Sequence, residues 1–113
     1  IEQLGSIEID KNEFLRTLKF VSNITGSHFF NLLTKDSDLV ISATSNDKGT
    51  VADKISYDED YFELNSSYVI NHFMKVLEII HTDKICLNFY NYNNFIICIL
   101  QDSNFNHMLF PTV

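Results

Sequence analysis

The chain has 113 residues, 45% hydrophobic and 13% aromatic, with eight Lys plus Arg against 15 Asp plus Glu and a net charge of −7. That length makes one domain, and that content of ring and aliphatic side chain excludes a disordered chain. Phosphate contacts need positive charge, so −7 at face value counts against a nucleic-acid surface.

In chain order, Ser6-Ile7-Glu8-Ile9 alternates polar and apolar and predicts a short strand. Asp10 follows as an N-cap, with Glu13 three residues on completing a capping box. Lys11 to Val21 predicts a helix, because Phe14, Leu18 and Val21 recur on one face with Leu15 beside them. Asn23 to Ser27, with Gly26, breaks it. Three strands are expected next, Phe29 to Thr34, Asp38 to Ser45 and Thr50 to Ser56. The stretch Asn46-Asp47-Lys48-Gly49 forms the hairpin turn between the last two. Val51, Asp53 and Ile55 are expected to share a face. Tyr57 to Asp60 is an acidic connector.

The order then restarts. Tyr61 to Leu64 predicts a short strand, and Asn65 or Ser66 caps a second helix running to Ile80. Its apolar face is Val69, Phe73, Val76, Leu77 and Ile80. Strands Lys84 to Phe89, Phe95 to Leu100 and Asn106 to Phe110 follow. The Asn-rich stretch Tyr90 to Asn94 and the stretch Asp102 to Asn104 are the turns between them. Residues 1–113 thus form one α+β domain of two βαβββ half-units, about 1–57 and 58–113, with two helices packed on antiparallel sheets.

Charge is unevenly placed. The two predicted helices carry +2 and 0, which leaves −9 for everything else. Asn12, Arg16 and Lys19 fall together opposite the apolar stripe of the first helix; Ser67, Asn71, Lys75 and Glu78 do so on the second. Two readings stand: an ordinary solvated helix face, or a thin cationic layer able to face phosphates while the rest repels them.

Nothing assembles a catalytic or metal site. His28, His72, His81 and His107 lack ligand spacing, and Asp58-Glu59-Asp60 lacks the ordered ligand series of a calcium loop. No phosphate loop or nucleophile elbow is present. Cys86 and Cys98 lie in apolar runs and read as buried thiols of a reducing compartment. Neither cofactor nor metal is expected. No signal peptide or membrane-spanning run is visible, so a cytoplasmic location is expected, and the missing initiator Met is expected of a piece of a longer chain.

Four segments, in register, carry a resemblance. Leu64-Asn65-Ser66-Ser67-Tyr68-Val69-Ile70 resembles the Phe-Asn-x-x-Tyr-Leu-Leu stretch of the third, C-terminal domain of bacterial DNA polymerase III beta sliding clamps. Leu39 to Asp53 is similar to that family's Leu-x-Ile-x-Ala-Asn-Asn-Pro-x-x-Gly-x-Ala-x-Glu. Ile9 to Leu18 resembles the start of the domain's first helix, and Asn106 to Pro111 its closing strand and Met-Pro. The end Phe110-Pro111-Thr112-Val113 departs from the family's Met-Pro-x-Arg-Leu, and the turn Asn91 to Asn94 departs from its Pro- or Ser-rich counterpart.

The resemblance implies the DNA-clamp fold and a non-enzymatic polymerase processivity factor that forms part of a ring around duplex DNA. It implies helices facing the duplex through Asn12, Arg16, Lys19, Asn71 and Lys75. It further implies a cleft for polymerase and clamp-loader tail peptides at Met108, Phe110, Pro111 and Thr112, with Asn93 and Phe95 beside it. Ile24 would lie at the edge that meets the next subunit of a ring-forming homo-oligomer. Without the resemblance, Met108 to Phe110 read as plain strand residues. The alternative function is a stand-alone protein-interaction module with no DNA role.

Overall fold

Asp10 closes strand β1 (Glu2–Asp10) and caps helix α1 (Lys11–Thr25): its Oδ1 accepts the Glu13 N–H at 2.9 Å. The helix runs one turn past the predicted Val21. It stops at Gly26, whose φ of 69° lets its N–H reach the Ser22 carbonyl at 2.7 Å. Strands β2 (Phe29–Lys35), β3 (Asp38–Ser45), β4 (Gly49–Ser56) and β5 (Asn65–Val69) follow, then helix α2 (Ile70–Ile79) and strands β6 (Lys84–Tyr92), β7 (Phe95–Gln101) and β8 (Asn106–Leu109). The computed structural model describes residues 1–103 and 105–112; Asn104 of the last predicted turn and Val113 lie outside the described residues.

The chain forms an α+β domain of two helices on two four-stranded antiparallel sheets, with orders β1-β6-β7-β8 and β4-β3-β2-β5. Each sheet takes three strands from one half of the sequence and the first strand of the other half. The exchange ties the halves into one core. In the first sheet Ile7, Leu87 and Leu100 lie opposite one another, as do Phe89, Cys98 and Leu109, and all six are buried. In the second, Phe30 pairs with Tyr68 and Leu32 with Ile41. Phe14, Leu18 and Val21 of α1 are buried, as predicted, and so are Phe73 and Leu77 of α2.

The second helix corrects the sequence reading. Asn65 to Val69 is strand β5, not a helix start, and Tyr61 to Leu64 carries no strand. The reason is tertiary: β2 offers a free edge, and Tyr68 pairs with Phe30 across it at 6.0 Å between rings. Helix α2 therefore begins without a side-chain cap, and the Ile70 N–H donates to the His28 carbonyl at 2.9 Å instead. At its far end the Lys11 ammonium donates to the Ile80 carbonyl at 2.8 Å, which suits the negative end of the helix dipole. In β4, Ile55 is buried and Val51 partly so, but Asp53 of the same predicted face is exposed, since β4 is an edge strand.

The connector 57–64 is pinned without regular structure. Buried Thr34 donates from Oγ1 to the Phe62 carbonyl at 2.7 Å and accepts the Leu64 N–H at 2.8 Å. Phe62 lays its ring over Gly5 and against Phe89, 5.9 Å away. A Cβ on Gly5 would run into the Phe62 ring. Gly5→Ala is therefore expected to cost about 1–3 kcal/mol by overpacking, read as a lower urea midpoint at unchanged slope. An unchanged midpoint would show that the ring is not held there.

Candidate functional site

The helices meet through aromatic rings. Phe14 of α1 stands edge-on to Phe73 of α2 at 6.1 Å, and Phe73 stands edge-on to Phe30 of β2 at 5.0 Å. With the apolar stripes turned inward, Asn12, Arg16, Lys19, Asn71 and Lys75 are all exposed. Among the described residues, the ion pair within 4.0 Å is Lys54 with Asp38, at 3.5 Å, on the second sheet. Arg16, Lys19 and Lys75 thus have no anionic partner within 4.0 Å among the described residues. Lys11 is not part of this layer, because its ammonium is spent on the end of α2. The observed helices keep the predicted charges of +2 and 0.

The C-terminal edge is built by β7 and β8. Met108 lies opposite Ile99 and is 55% exposed. The antiparallel register, Gln101 with Asn106 through Cys98 with Leu109, carries the chain toward the Phe95 end of β7. Phe110 follows, 60% exposed, then Pro111, partly buried. Thr112 crosses to the second sheet, where its N–H and Oγ1 donate to the Ser67 carbonyl at 2.8 and 3.3 Å. The Tyr68 hydroxyl donates to the Ile96 carbonyl at 2.8 Å, and burial pushes its pKa well above the ordinary range. Phe95, exposed, and residues 110–112 therefore lie toward one end of the domain, and Ser67 and Tyr68 stitch that end together.

Asn93 and Asn94 form the two-residue turn closing β6 and β7, both with positive φ, 50° and 68°. That backbone requirement alone accounts for Asn at 93, whose side chain is exposed. Beside the turn, a depression of about 440 Å³ is lined by Leu4, Phe62, Glu63, Asn65, Asn94 and Ile96, among others. Asn65, Ser67 and Tyr68 belong to this region, which their cap-like local sequence does not signal. Ile24, 38% exposed, sits one turn after Phe20, 45% exposed, on the end of α1. The helix position of Phe20 lies outside the buried stripe.

Cys98 is fully buried, and burial raises its thiol pKa far above the usual range. Cys86 is only partly buried. Its pKa is raised by burial, then by the Glu8 and Glu59 carboxylates. Both are free thiols. Among the described residues no group of three His, Cys, Asp or Glu could hold a metal ion, and no helix is long and apolar enough to cross a membrane.

The family model of the DNA polymerase III beta subunit, C-terminal domain, matches residues 2–113. The chain belongs to this family. It is non-catalytic. Among curated proteins no sequence matches. Solved structures agree on the clamp-domain fold. The beta subunit from Thermotoga maritima superposes with a TM-score of 0.86 at 19% identity, covering 99% of this chain and 31% of that one. The sliding clamp from Bacillus subtilis gives 0.81 at 21% identity over 96% and 30%. A beta subunit from Eubacterium rectale gives 0.83 at 18% over 98% and 31%. The clamp domain here thus spans less than a third of the length of these relatives.

Proposed function

We propose that this clamp domain serves DNA replication as the C-terminal part of a longer sliding clamp, helping to encircle duplex DNA in the cytoplasm. The observation that carries this reading is the family match over residues 2–113 joined to a fold that agrees along the whole chain. The helices supply the DNA-facing layer through Asn12, Arg16, Lys19, Asn71 and Lys75. So few cations give weak, sequence-independent and salt-sensitive contact. Weak contact suits a ring that must slide, since encirclement itself keeps a bound polymerase at high effective concentration. Ile24, with Phe20 beside it, meets the next subunit of the ring.

Met108, Phe110, Pro111 and Thr112, with Asn93 and Phe95 nearby, form this domain's share of the cleft for polymerase and clamp-loader tails. Exposed rings and a thioether at a strand end, held by the Thr112–Ser67 bonds, support an apolar peptide site. The altered end, Phe110-Pro111-Thr112-Val113, points to partner tails matched to an aromatic rather than a Met side chain. Replacing Met108 and Phe110 together by Ala is expected to weaken binding of a polymerase-tail peptide at least tenfold by fluorescence anisotropy, at about 1 kcal/mol or more per lost anchor. Equal affinity of the variant and the natural chain would remove these residues from the site.

A further inference from the structure

Helix α2 does not turn outward the face that its sequence suggests. Val69 of the predicted apolar stripe belongs to β5, Ile80 follows the helix, and Val76 is only partly buried. The buried residues of α2 are Ile70, Phe73 and Leu77. At ~100° per residue, the direction opposite these three falls between Lys75 and Ile79, and Asn71 and His72 flank it roughly 50° to either side. Ile79 bears this out, a large aliphatic side chain left 63% exposed. Glu78 lies farther round on the Asn71 side, roughly 70° off. The outward face thus carries His72 as fully as it carries Asn71, and both are exposed.

The layer that His72 joins is thin. On α1, Asn12, Arg16, Lys19 and Asn23 recur at i, i+4, i+7 and i+11, and all four are exposed. That gives two outward cations on α1 and, on α2, Lys75 alone. Helix α1 and strands β5 and β8 pack on α2, and the Phe30 ring of β2 meets Phe73. Their titratable and charged groups are Lys11, Glu13, Arg16 and Lys19 of α1, Lys35 of β2, Tyr68 of β5 and His107 of β8. Of these, the Lys11 ammonium is bonded to the Ile80 carbonyl, and the Tyr68 hydroxyl to the Ile96 carbonyl. Among the described residues no carboxylate, Glu78 included, lies within 4.0 Å of the His72 ring nitrogens.

We infer that His72 is a further phosphate contact of the helical layer, made when its ring is protonated. The inference rests on the DNA-facing reading of the helices given above. A neutral imidazole donates from one ring nitrogen, whereas the imidazolium donates from both and carries a full charge. Imidazoles ordinarily change state between about pH 5 and 8, a range in which Arg and Lys stay cationic. The phosphates of the duplex stay anionic across it. In a layer holding Arg16, Lys19 and Lys75, one more cation is a large relative change. Mild acidity thus tightens the hold on the duplex, and mild alkalinity loosens it, with no change elsewhere on the two helices.

The test measures anisotropy of a labelled duplex with the full chain across a salt series, at about pH 5.5 and about pH 8. The slope of log K against log salt should steepen by about 0.9 at the lower pH, as one added phosphate contact requires. His72→Gln should hold the shallow slope at both pH values, and His72→Lys the steep one at both. His28 and His81 are exposed near the two ends of α2, the first giving its carbonyl to the Ile70 N–H. His28→Gln and His81→Gln should leave the pH dependence intact. At the lower pH, the ring C–H signal of His72 should shift in the NMR spectrum when duplex is added, and that of His107 should stay. Equal slopes at the two pH values in the natural chain, or a pH dependence that survives His72→Gln, would overturn the inference and leave the three-cation layer standing. Loss of the pH dependence in His28→Gln or His81→Gln instead would overturn it too. No saturable binding at either pH, or a slope untouched by Arg16→Ala, Lys19→Ala and Lys75→Ala together, would remove the DNA-facing reading and this contact with it.

Discussion

Phe73→Ala is expected to lower the unfolding free energy by about 3–5 kcal/mol, the range for deleting a fully buried aromatic ring. Phe73 is 0% exposed and touches rings from three other elements: Phe14 of α1 at 6.1 Å, Phe30 of β2 at 5.0 Å and Tyr68 of β5 at 5.2 Å. Edge-on pairs add about 0.5–1.5 kcal/mol each beyond area burial. The neighbours cannot collapse into the gap, since Phe30 and Tyr68 are held in a strand pair and the Tyr68 hydroxyl is bonded to Ile96. A domain of this size has roughly 5–15 kcal/mol in total, so about a fifth or more is lost. Phe20→Ala, at an exposed ring, is the control and should change stability by about 0.5 kcal/mol or less. Urea unfolding of both variants checks the contrast; similar midpoints would show that the ring cluster is not the centre of the core.

Arg16→Ala, Lys19→Ala and Lys75→Ala combined should abolish most of the salt dependence of duplex binding. Each phosphate contact contributes a slope of about −0.9 in log K against log salt, so three contacts weaken binding ~40-fold between 50 and 200 mM salt. The three cations are exposed and, among the described residues, in no ion pair within 4.0 Å. The triple variant should retain its unfolding midpoint, because surface substitutions of this kind stay within about 0.5 kcal/mol. Anisotropy of a labelled duplex across a salt series makes the measurement. An unchanged slope would take the helices out of the DNA-facing role.

The expected helix stripe of α1 was legible because Phe14, Leu18 and Val21 follow a period that only a helix satisfies, and Asp10 announces where it starts. The hairpin turns were legible because Asn and Gly mark positive φ. The start of α2 was not. Asn65-Ser66-Ser67 looks like a cap locally, and its strand pairing depends on β2, more than thirty residues earlier. The exchange of first strands between halves was hidden for the same reason, since local patterns say nothing about which sheet a strand joins. At the C-terminal edge, Met108 and Phe110 could be named from the resemblance. The Thr112–Ser67 and Tyr68–Ile96 bonds that position them join segments far apart in sequence.

Helices toward the duplex and strands toward partners is the central claim, and one amide NMR experiment tests it with two ligands. Titration with a short duplex at low salt should shift Arg16, Lys19, Asn71 and Lys75 and leave Phe95, Met108, Phe110 and Thr112 in place. Titration with a polymerase-tail peptide should do the reverse. Overlapping shifts, or a duplex that perturbs the strands and not the helices, would contradict the account.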